Sequence, residues 1–94
     1  MIELYNTIFI IKNQNDSKEL QKFLFSRYFT WSDRTIDIIT FQKNNFPITI
    51  IIKNKNCFTW DYYFETDYSP YKIIQASSII RKIKINKIKN FIIN

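Results

Sequence analysis

The stretch Asn45–Phe64, NFPITIIIKNKNCFTWDYYF, decides the fold class. Within it Ile48–Lys53 is an almost unbroken apolar run, and it reads as a strand. Phe58, Trp60, Tyr62 and Phe64 then alternate with Cys57, Thr59, Asp61 and Tyr63 at a period of two, which is the mark of a second strand. Asn54-Lys-Asn56 between them leaves room only for a turn, so the two strands pair antiparallel. The chain contains no glycine. Turn positions with positive φ are therefore expected at asparagine and aspartate, which tolerate the left-handed region best among the remaining residues.

Outward from this hairpin, Thr35–Phe41 carries Ile36, Ile38 and Ile39 and predicts a preceding strand, giving a three-stranded antiparallel meander. Thr7–Lys12 reads as a further, buried strand. Asp16-Ser-Lys-Glu19 has capping-box form, and Leu20, Phe23, Leu24 and Tyr28 recur at helical spacing, so residues 17–28 form a helix. That helix lays Leu20, Phe23 and Leu24 on the sheet, and Trp31 closes the corner into the meander. After Pro70, Tyr71–Ile74 reads as a short edge strand. Ser77 or Ser78 then caps a second helix whose Ile79, Ile80 and Ile83 share a face. Its periodicity fails beyond Lys84, because Ile85 and Ile88 fall on the opposite side of the wheel. The expected fold is a small α+β domain over residues 1–84, with a basic extension over 85–94. Its antiparallel sheet of about four strands carries one packed helix and a short basic C-terminal helix.

Ninety-four residues hold one modest core and no second domain. Isoleucine, asparagine and lysine fill 41 positions while valine is absent and alanine occurs once, the pattern of an AT-rich genome. No window is long and apolar enough to span a bilayer, and Glu3 with no basic n-region argues against a signal peptide. The expectation is a cytoplasmic protein without a membrane partner. Histidine is absent and Cys57 is the sole cysteine, so a Cys/His zinc site has no ligands and Cys57 no histidine base. Cys57 is expected to be a buried small apolar residue.

Charge is unevenly placed. Residues 1–67 hold eight acids and eight bases, whereas 68–94 hold Lys72, Arg81, Lys82, Lys84, Lys87 and Lys89 with no acid, so the whole net charge of +6 arises there. Those six cations are the candidate contacts for a polyanion or an acidic partner. A membrane-surface helix would need segregated apolar and basic faces, which this segment lacks.

The catalytic inventory is carboxylates alone. Asp61, Glu65 and Asp67 would share a strand face and supply oxygens for a magnesium ion, but no phosphate cradle accompanies them, and solvated acids are the simpler reading. The alternating Phe58, Trp60, Tyr62 and Phe64 invite comparison with a base-stacking sheet, but their neighbours are acidic and would repel phosphate. Core packing against the first helix accounts for them better. Tyr62, Tyr63, Tyr68 and Tyr71 are candidate interface aromatics, since tyrosine tolerates partial exposure. Neither a cofactor nor an enzymatic activity is expected.

The order of elements, with ELQKFLFSRYFTW (19–31), NNFPITIIIKN (44–54) and YKIIQASSII (71–80), resembles small phage-encoded accessory proteins of unknown function. The likeness spans residues 7–83. It departs from their pattern in having no glycine near Tyr28 and in continuing past Lys84. It implies a viral accessory gene that binds and inhibits or redirects a host protein, with a protein of anti-phage defence as one such target. The alternative is a low-specificity nucleic-acid-binding protein that uses the basic C-terminal segment on phosphates. A third reading is capture of a nucleotide by a small homo-oligomer, whose assembly would build a pocket that a single chain of this size lacks.

Overall fold

The hairpin is present. In the computed structural model, which describes residues 3–93 and side chains through Ile85, Ile48–Ile52 (β3) pairs antiparallel with Cys57–Tyr62 (β4), setting Ile50 opposite Trp60 and Ile52 opposite Phe58. Thr7–Ile11 (β1) runs antiparallel along the other edge of β3, with Phe9 opposite Ile50. Lys72–Gln75 (β5) lies parallel to β1, and the two residues of Thr30–Trp31 (β2) lie parallel to β4. The sheet therefore has five strands in the order β2-β4-β3-β1-β5. It is mixed rather than antiparallel, and it has one strand more than the sequence predicts.

Two connections join parallel strands. One leads from β1 to β2 through the helix α1 (Gln14–Ser26), and the other, residues 63–71, leads from β4 to β5. They step across the sheet in opposite directions, so the shared right-handed preference sends them over opposite faces. On the first face Phe9, Ile11, Ile48, Ile50, Ile52 and Phe58 form one core with α1 and with the helix α2 (Ala76–Ile93). On the second face Ile8 and Ile10 are also buried, at 2% and 8% exposure, which fits a connection crossing above them. Each such fully buried isoleucine or phenylalanine contributes roughly 1.5–3 kcal/mol.

Thr35–Phe41 is not a strand. Its backbone is held instead by side chains. Gln21, fully buried in α1, accepts the Ile39 N–H through Oε1 at 2.8 Å and donates Nε2 to the Ile39 carbonyl at 2.9 Å. Ser17 Oγ accepts a further Nε2 bond at 3.0 Å. Gln14 Oε1 accepts the Phe41 N–H at 3.1 Å, and Trp31 Nε1 donates to the Asp37 carbonyl at 3.0 Å. A primary amide presents the same donor and acceptor pair as a neighbouring strand, so Gln21 satisfies Ile39 where no strand does. Ile36, which suggested a core strand, is 62% exposed.

Helix boundaries also differ. The cap of α1 is Asn13, whose Oδ1 accepts the Asp16 N–H at 2.8 Å, so the helix begins before the Asp16–Glu19 box and places Asp16 in its first turn, where the helix dipole favours an acid. At its other end Tyr28 takes φ 69°, and Arg34 takes φ 70°; of the three positive-φ residues only Asn6 is an asparagine. With no glycine to occupy these positions, the chain accepts a cost of about 1–2 kcal/mol at each side chain that has a Cβ. α2 continues through Ile93. Nothing after Ser77 is a glycine or proline, so the backbone ladder continues where the apolar stripe stops. At about 27 Å the helix is longer than the roughly 17 Å of a five-residue strand.

Gln21→Met removes both bonds to Ile39 with little change in volume. It is expected to cost about 2 kcal/mol in urea denaturation. A change below about 0.5 kcal/mol, the scale of neutral surface substitutions, would contradict this role.

Candidate functional site

The described members of the candidate basic set lie on two elements, α2 and β5. Arg81, Lys82 and Lys84 are exposed on α2, whose sequence holds no acid. Lys72 lies at the start of β5 and donates Nζ to the Glu3 carbonyl at 2.8 Å, so it ties down the N-terminal arm. The side chains of Lys87 and Lys89 lie outside the described residues.

The tyrosines divide in the same way. Tyr62 is 46% exposed at the end of β4, its ring 5.3 Å from that of Trp60, within an aromatic row that continues through Phe41 to Phe46. Tyr63 projects to the other face and meets Tyr68 at 6.2 Å between ring centroids. The Tyr68 hydroxyl accepts the Phe64 N–H at 3.1 Å and donates to the Phe64 carbonyl at 3.0 Å, so it closes its own turn. Tyr71 is half-buried beside β5. Of the four alternating aromatics on β4, only Phe58 is core. Trp60 is half-buried, and Phe64, past the end of the strand, is 59% exposed. The expectation of core packing for all four therefore fails beyond Trp60, where β4 ends at Tyr62 and the chain leaves the sheet.

β4 ends at Tyr62, so Glu65 and Asp67 lie in the connection rather than on a strand face with Asp61. Among the described residues no three carboxylates or thiols gather as a metal site. Cys57 is half-buried at the start of β4, not fully buried as expected. Among the described residues no helix is long and apolar enough to cross a membrane.

Sequence reading missed a cleft of about 780 Å³ at the Thr7 end of the sheet. Its walls are Phe23 of α1, Phe29, and Ile79 and Ile83 of α2, together with Leu4 from the N-terminal arm. Glu3, Tyr5, Arg27, Asn56 and Lys82 supply its polar groups. Arg27 lies over the Phe23 ring, its guanidinium carbon 5.2 Å from the centroid, and the Tyr5 hydroxyl donates to Asn56 Oδ1. A single chain thus holds a ligand-sized cleft without oligomerising. The i, i+4 spacing of Phe23 and Arg27 was a legible signal for one wall, but the arm and α2 meet it only through the fold. A smaller hollow of about 360 Å³ lies on the second face beside Ile10, Phe46, Pro47 and Tyr63.

Comparison with protein-family models, curated proteins and solved structures returned no match.

Two aspartates are held below the ordinary aspartate pKa by local donors. Asp33 Oδ1 accepts the Thr35 hydroxyl at 2.7 Å and its N–H at 3.1 Å, and Asp67 Oδ1 accepts the Ser69 N–H at 2.9 Å. A depressed carboxylate stabilises the fold above its unfolded pKa, and that contribution is lost as pH falls through the folded value. NMR titration of the Asp33 carboxyl should give a midpoint below about 3.9, which rises in Thr35→Val. An unchanged midpoint in that variant would remove the hydroxyl as its cause.

Proposed function

We propose that the chain is a non-enzymatic viral accessory protein that binds a host protein and inhibits or redirects it. The observation that carries this reading is the exposure of Tyr62 and Phe64, two large aromatic side chains in an ordered segment that gains nothing from displaying them to water. Asp61, Glu65 and Asp67, all exposed, flank them. The matching partner surface is an apolar pocket with a basic rim, an arrangement in which aromatic anchors supply affinity and rim charges supply steering. The likeness to phage accessory proteins supplies the viral setting.

Exposed Arg81, Lys82 and Lys84 on an acid-free helix favour a second reading, phosphate contact with nucleic acid. The aromatic segment and α2 use different residues, so the two readings separate by mutation. In an affinity capture from host lysate treated with nuclease, the wild-type chain retains one host protein. Tyr62→Ala with Phe64→Ala weakens its binding by about thirtyfold or more, the loss of one hot spot. Retention of nucleic acid alone, abolished by replacing Arg81, Lys82 and Lys84 with glutamine, would overturn the protein-binding reading.

A further inference from the structure

The cleft between the N-terminal arm and the two helices has a use of its own, separate from the aromatic segment. Its walls are apolar and only half covered: Leu4, Phe23 and Ile83 are partly exposed, over a floor of buried Phe29 and Ile79. Its volume lies inside the range of about 300–1,000 Å³ that suits a small organic ligand. Arg27, the C-cap of α1, and Lys82 of α2 stand exposed on its rim. Neither is ion-paired among the described residues, where the salt bridge present is Lys22–Glu19. The opposing charge is Glu3, whose Oε1 accepts the Tyr5 N–H at 3.0 Å. The rim therefore remains net positive above an apolar interior, a charge pattern that complements an anion carrying a hydrocarbon body.

We propose that this cleft binds a small amphipathic acid, with its carboxylate between Arg27 and Lys82 and its single apolar chain or ring against Phe23, Phe29 and Ile83. Arg27 is suited to the task because its guanidinium is already oriented by the Phe23 ring, and a fork of parallel N–H donors matches a carboxylate. Lys82 closes the site from α2 as a point charge.

Decanoate is the probe, with decyltrimethylammonium as the chain of opposite charge and acetate as the head without a chain. Binding is followed by isothermal titration calorimetry and by amide chemical shifts in the full chain. Decanoate is expected to bind saturably and to shift the amides of residues 23–29 and 79–83, while acetate and the cationic amphiphile do not. Arg27→Gln and Lys82→Gln should each weaken decanoate by about tenfold or more, the loss of one charge-assisted contact, and Glu3→Gln should tighten it. All three side chains are exposed, so their amide spectra will report an intact fold. No binding of decanoate, equal binding of the cationic amphiphile, shifts located elsewhere, or an affinity indifferent to all three charge changes would each overturn the proposal.

Discussion

The structure depends on burying β1 on every side. All five of its residues are buried, it bonds to β3 along one edge and β5 along the other, and both of its faces are covered. A strand so placed cannot alternate in polarity, and TIFII does not. The demand propagates outward. The first face requires two helices, and the second requires a connection long enough to travel the strand length and cross two strands. The parallel placement of β5 follows from where that connection ends. With the second face left uncovered, Ile8 and Ile10 would have faced water.

This arrangement also distributes chemistry. Asp61, Glu65 and Asp67 lie with exposed Tyr62 and Phe64 where β4 runs into the connection, while Arg81, Lys82 and Lys84 lie exposed on α2. The net charge of +6 therefore describes no single surface of the molecule. A partner meeting the aromatic segment meets acids, and a ligand meeting the α1–α2 cleft meets cations. Lys72, counted with the basic cluster from its position in the chain, instead bonds the backbone carbonyl of Glu3, a residue that lines the cleft.

Much of this was legible. The β3–β4 hairpin, β1, β5 and the face of Ile79, Ile80 and Ile83 are local patterns, and local patterns survive into the fold. What was not legible depended on distant partners. Thr35–Phe41 has the isoleucines of a strand, but whether it becomes one depends on an available edge, and the buried amide of Gln21 takes that place from eighteen residues away. The parallel pairing of β5 is invisible in KIIQ, since orientation is set by the route of residues 63–71 rather than by the strand. Tyr28 in the left-handed region marks a helix end that glycine usually signals, and the composition had removed that signal. The cleft was hidden for a related reason: Glu3, Arg27, Asn56 and Lys82 are unremarkable surface residues until the fold assembles them.

Native-state amide hydrogen exchange along β1 tests the account most directly. In a strand paired on both edges, consecutive amides are protected, alternately by one neighbour and the other. The account predicts that the amides of Ile8, Phe9, Ile10 and Ile11 are all among the slowest in the protein, exchanging only with global unfolding. Protection of every second amide, with the others exchanging freely, would mean that β5 does not pair with β1. That result would contradict the mixed sheet.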